Sequence, residues 1–150
     1  MNVIRTVRGD IAPEELGICH PHEHLIGAPP EPYATQEPDL VLDSESAATQ
    51  DLNAFYQAGG RALVEMTPID YNRDSAALQR LSQTTGVHIV CVTGFLKEKF
   101  SKPFVENETV ESLAARFIRE ITHGIEDTDI RAGVLKGASS LNDITANEEK

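Results

Sequence analysis

A chain of 150 residues with 40% apolar and 25% charged residues is the size of one globular domain and is neither disordered nor fibrous. Its formal charge of −11 disfavours nucleic acid and anionic membranes as partners. The opening Met1–Arg5 carries no apolar run, no segment is long enough to span a bilayer, and Cys19 and Cys91 sit in strand-like stretches that read as buried, reduced thiols, so the expectation is a cytoplasmic protein. Residues 2–18 read as a short β-hairpin leading into a first core strand, Gly17–His24. The Pro- and acid-rich stretch 27–43 reads as a long loop. Residues 44–58 read as a helix packing through Ala47, Leu52, Phe55 and Tyr56 and ended by Gly59-Gly60. Residues 61–66 form a second strand and Arg73–Thr85 a second helix, closed by Gly86. Val87–Val92 is a third strand, and Phe95–Glu108 reads as irregular. A third helix from an N-cap at Thr109 to Thr122 packs through Leu113, Phe117, Ile118 and Ile121, and Arg131–Lys136 is a fourth strand before a polar tail.

Strands alternating with helices predict a parallel sheet with helical crossovers. An open doubly wound sheet and part of a closed barrel both fit this order.

The chemistry concentrates in His20-Pro21-His22-Glu23-His24, at the carboxyl end of the first core strand. Residues i and i+2 of a strand share a face, so His22 and His24 are candidate ligands of one metal ion. His20 is in the same phase but follows the start of the strand and precedes Pro21, which suits a supporting role. Glu23 faces the other way, as an orienting partner of an imidazole or an ion pair at the rim. Lys136 ends an apolar strand and has two readings. One, favoured on the residues alone, is a lysine reaching out to an acid. The other is a desolvated amine of lowered pKa that takes up carbon dioxide as a metal-bridging carbamate. Asp70 and Asp74, in the loop after the second strand, suit a site mouth, and Asn72–Asp74 suits a helix cap equally well. His88 reads as a core residue, and His123 as a cation suited to a helix C-terminus. No phosphate-binding glycine loop or nucleophile elbow is present.

Several spaced segments together resemble the phosphotriesterase family of the amidohydrolase superfamily. They are Thr6–Ile11, Leu16-Gly17, His22–Leu25, Met66–Pro68, Asn72–Asp74, Thr85–Val90, Thr93–Phe95, Gly124-Ile125, Ile130–Gly133 and Lys136. The resemblance implies a TIM-type (β/α)8 barrel, of which residues 1–150 would be the N-terminal half, strands 1 to 4, as one partial domain. It implies a metal-dependent hydrolase with two divalent ions per complete site, zinc first and manganese, cobalt or iron as alternatives. His22 and His24 would be ligands, and Lys136 a carbamylated bridge. Phe95 and Leu96 would fall at the substrate pocket. Substrates would be small-molecule esters, lactones or organophosphates. The family's further ligands belong to later strands, so the expectation is a fragment inactive alone. The alternative is a non-catalytic half-barrel that pairs with a copy of itself or with a complementing C-terminal half.

Overall fold

The computed structural model describes residues 2–140 and 142–150; Met1, part of the opening stretch read for a leader, lies outside them. Strands β1 (Ile4–Thr6) and β2 (Gly9–Ile11) form the expected antiparallel hairpin. Strands β3 (Cys19–Glu23), β4 (Ala62–Glu65), β5 (His88–Gly94) and β6 (Val134–Lys136) form one parallel sheet in the order β3-β4-β5-β6. Each strand is laid beside the one before it and the direction of winding never reverses. A doubly wound sheet requires such a reversal, so this order is barrel topology.

The crossovers start where the sequence offers caps. Helix α1 (Tyr33–Gln36) is a single turn within the long loop. Helix α2 (Glu45–Gln57) begins at Ser44, whose Oγ accepts from Ala47 N at 3.2 Å. Helix α3 (Ser75–Thr85) begins at Asp74, which accepts from Ala77 N at 2.8 Å, and ends at Gly86 in the left-handed region at φ 78°. Arg73 therefore lies outside that helix. Helix α4 (Glu98–Val105) occupies the stretch expected to be irregular. Its charged start and Pro103 look like helix breakers, yet Phe100 and Val105 are buried and hold it in place. Helix α5 (Val110–Thr122) opens with Thr109 and Ser112 bonding reciprocally.

The core lies between the sheet and α2 and α3. Leu52, Leu63, Leu78, Leu81, Val87 and Ile89 are buried there, each side chain contributing roughly 1.5–3 kcal/mol. Two helical faces differ from expectation. On α2 the buried stripe is Ala48, Leu52 and Phe55, while Ala47 is exposed and Tyr56 lies outside under the Arg61 guanidinium. On α5, Ile118 is 61% exposed, and Glu120 is buried instead. His88 starts its strand half-exposed, 3.2 Å from an Arg8 nitrogen, and is not a core residue. Cys91 is buried but Cys19 is only partly so; both are free thiols.

The hairpin packs on the amino end of the sheet, where Val7 N donates to Ile89 O at 2.8 Å. That closes one end and leaves the chemistry to the other. The tail folds back on α4: Glu148 accepts from Glu98 N at 2.8 Å, and Lys150 Nζ donates to Val105 O at 3.0 Å. Among the described residues, no helix is long and apolar enough to cross a membrane.

Candidate metal centre at the carboxyl end of the sheet

Strand β3 brings two histidines to the end of the sheet. Its pairing with β4 shifts register between His20 and Glu23, a bulge that re-aims the side chains beyond it. His20 lies 3.7 Å from Glu23, both half-exposed. Glu23 also accepts from His24 N at 2.8 Å, so the pair braces the rim.

His22 Nε2 and His24 Nε2 converge to 3.3 Å. Two nitrogens each about 2.0–2.1 Å from one tetrahedral ion lie roughly 3.3 Å apart, so the pair has the spacing of two ligands of a single zinc-like cation. Burial holds the His24 pKa near 4, with the charges of Lys136 and His22 adding to the effect, which keeps the imidazole neutral. Among the described residues, no three His, Cys, Asp or Glu side chains gather as a metal cluster; the donors present are this pair and a nearby lysine.

Strand β4 and the residues after it build the floor beneath the pair. His24 Nδ1 lies 2.9 Å from Thr67 Oγ1. Glu65 and Thr67 have no exposed surface. Burial raises the Glu65 pKa to about 7, against hydrogen bonds from Thr67 and Leu25 that lower it. Asp70, expected at a site mouth, is buried under it: its Oδ2 accepts from Leu96 N at 2.9 Å and its Oδ1 has no partner. Desolvation raises its pKa to about 6. In the sequence, Glu65 is marked only as a charged residue closing an apolar strand, and Thr67 only by its place in the Met66–Pro68 segment.

Lys136, at the end of β6, is buried at 8% exposure, and its Nζ donates to Met66 O at 2.7 Å. Desolvation lowers its pKa, and the carboxylates of Asp70 and Glu65 oppose that shift. Among the described residues Lys136 forms no direct ion pair with an acid, contrary to the reading in which the lysine reaches out to one. The strand end is held against Gly94, which has φ 104°; a Cβ there would lie 2.0 Å from Lys136 O.

A cleft of about 460 Å³ opens beside His24, lined also by Tyr71, Leu96, Lys97, Phe100 and Leu40. Leu96 also borders a smaller cavity of about 200 Å³ with Phe95 and Lys136. The Phe95 ring is mostly core, packed against Phe104 and Phe117 at centroid distances of 6.2 and 5.8 Å. A larger hollow, about 800 Å³ beside Arg119 and Asp127, is lined by none of these site residues.

Asp74 serves as a helix cap, while the preceding Arg73 anchors a second buried polar cluster. Its Nη1 donates to Val92 O at 2.6 Å and to Glu120 at 3.1 Å, and its Nε to Glu126 at 3.2 Å.

Comparison with known proteins accounts for this arrangement. A profile of the phosphotriesterase family matches residues 2–150. N-acetyltaurine hydrolases of Tetraodon nigroviridis and Homo sapiens are 31% and 30% identical over 98% of this chain, which spans 50% of each. Among solved structures, a lactonase from Listeria monocytogenes superposes with a TM-score of 0.89 at 32% identity, over 99% of this chain and 50% of its own. The organophosphorus hydrolase of Deinococcus radiodurans superposes with a TM-score of 0.82 at 34% identity, over 98% of this chain and 46% of its own. The chain thus spans about half the length of the relatives it matches. It belongs to the phosphotriesterase family, and its sheet is the N-terminal half of a TIM-type barrel.

Proposed function

We propose that this chain supplies the first part of a metal-dependent hydrolase centre, with His22 and His24 as the nitrogen ligands of one divalent ion. The observation that carries the reading is the convergence of their Nε2 atoms to 3.3 Å. Lys136 would be the bridge to a second ion, as a carbamate. Its buried amine has a lowered pKa, and the neutral form is the one that adds carbon dioxide. In that step the nitrogen lone pair forms the N–C bond, a proton leaves to solvent, and a carbamate anion remains. Zinc suits paired imidazoles, and manganese, cobalt and iron suit imidazole with carboxylate-like oxygen. When bound, the ions would polarise the scissile group and acidify water.

The remaining roles belong to this chain's own residues. Met66 O holds the Lys136 amine at 2.7 Å, and the Glu23–His20 pair braces the strand end. Leu96 and Lys97 line the cleft that would receive a small substrate. The substrate is a small ester, lactone or organophosphate, or an acyl amide of the kind named for the N-acetyltaurine hydrolases. Hydrolysis is assigned to the whole protein, since the chain spans half of its relatives.

Metal uptake by the purified chain tests the centre. Zinc binding that is lost in His22→Ala and in His24→Ala supports it; equal uptake by the double variant would overturn it. Assays of a lactone, a phosphotriester and N-acetyltaurine on the metal-loaded chain are expected to stay near background.

A second reading is favoured by the sheet's edges. Among the described residues β3 and β6 are unpaired on their outer sides, and Ile18 before β3 and Leu135 within β6 are exposed. In this reading the half-barrel is an interaction module that pairs with a second copy or a complementing half. A discrete dimer by solution mass supports it, and a monomer that stays soluble alone counts against it.

A further inference from the structure

Glu65 and Thr67 are fully buried beneath the histidine pair, and binding an ion requires neither of them directly. Both oxygens of Glu65 already accept backbone N–H groups, Oε1 from Leu25 at 3.1 Å and Oε2 from Thr67 at 3.0 Å. The Thr67 hydroxyl donates to Oε1 at 2.5 Å. An ionised carboxylate ringed by donors has no proton to give and acts only as an acceptor. Thr67 has a single hydroxyl proton, and Glu65 engages it. What Thr67 Oγ1 offers His24 Nδ1, 2.9 Å away, is therefore a lone pair. A neutral imidazole meets a lone pair with an N–H, and its other nitrogen is then the acceptor.

We propose that Glu65 and Thr67 form a relay that fixes His24 as the Nδ1–H tautomer, so that Nε2 presents its lone pair toward His22 before any ion arrives. The inference deepens the metal-centre reading and rests on it for its purpose. Neither residue reaches the ion or a substrate, so both are positioning residues that act through His24. His22 has no such support: among the described residues the only hydrogen-bond partner of its ring is His24 itself. One ligand is therefore pre-set by a buried carboxylate, and the other adapts: as the cation binds, the proton that His22 Nε2 directs at His24 Nε2 leaves to solvent and a solvent proton returns to His22 Nδ1, so that the ring stays neutral.

The test is the ring protonation of His24 in the metal-free chain, read by long-range proton–nitrogen correlation with ¹⁵N-labelled histidine at pH 8. The His24 signals are identified by their loss in His24→Gln. The expected pattern is a protonated Nδ1 and a bare Nε2, in the parent and in Thr67→Ser. Thr67→Val, which keeps the shape and removes the hydroxyl, should lose the preference. A parent His24 protonated on Nε2, or a tautomer unchanged in Thr67→Val, would overturn the relay. A zinc titration is the second arm: Thr67→Val is expected to bind roughly 10–100-fold more weakly, with Thr67→Ser close to the parent. Equal zinc affinity in Thr67→Val and the parent also counts against the relay. A parent that takes up no zinc sinks the metal-centre reading, and the tautomer still decides the relay by itself.

Discussion

Two buried polar clusters lie beside the same sheet and are built on opposite principles. Around Arg73, opposite charges are matched in direct contact: the guanidinium meets Glu120 and Glu126 and the carbonyl of Val92, and Ser75 ties down the far oxygen of Glu126 at 2.9 Å. Around Lys136, buried ionisable groups face one another without direct pairing, and the pKa values of Glu65, Asp70, His24 and Lys136 are all displaced, first by desolvation. The first cluster locks α3 and α5 to β5. The second displaces the proton affinities of its groups from those they have in water, a feature that clusters at functional sites.

Breaking the matched cluster should have the largest effect. Arg73→Met strands Glu120 in the interior and is expected to cost about 3–5 kcal/mol in urea unfolding. Its outer arm should matter less. The Glu126 side chain is 35% exposed, so Glu126→Gln should cost about 1 kcal/mol or less after solvent screening.

The site cluster should show itself through pH. Asp70 has a folded pKa near 6 against its ordinary 3.8, so in that window the folded chain keeps a proton that the unfolded chain has released. The stability it contributes falls as pH rises from about 4 to about 6. Glu65, near 7 against 4.5, acts in the same direction. His24, near 4 against 6.5, acts oppositely, since the folded chain then binds fewer protons. Asp70→Asn is therefore expected to tilt the stability–pH curve upward between pH 4 and 6 relative to the parent, measured by denaturant midpoints at fixed ionic strength. The smallest effect on stability is expected at the centre itself. Lys136→Met removes a desolvated cation and keeps its bulk, so unfolding should be unchanged or slightly harder, while any carbamate is lost from the intact mass.

The same contrast explains what could be read from the sequence. Periodicity and caps disclosed β4, β5, α2, α3 and α5, because Ser44, Asp74, Thr109 and Gly86 are local signals. Histidines two apart on a strand disclosed the convergent pair for the same reason. Arg73 and Glu120 find each other across 47 positions, and Thr67 meets His24 across 43; nothing local marks either contact. Helix α4 was hidden by Pro103, and the outward turn of Tyr56 and Ile118 by a helical spacing that counts apolar residues without knowing how wide the buried stripe is.

Gly94 carries a consequence for how such a site can vary. The carbonyl of Lys136 occupies the space where any side chain at position 94 would begin. Substitution there would push the fourth strand away and take the lysine with it. The residues that follow, 95 to 108, carry no such restraint against Lys136 O except the Phe95 amide, which donates to it at 3.3 Å and is common to every residue but proline. A library that varies the exposed residues of the loop and helix after Gly94 can therefore reshape the cleft beside His24 while Lys136 stays in register, with that one glycine as the fixed seam.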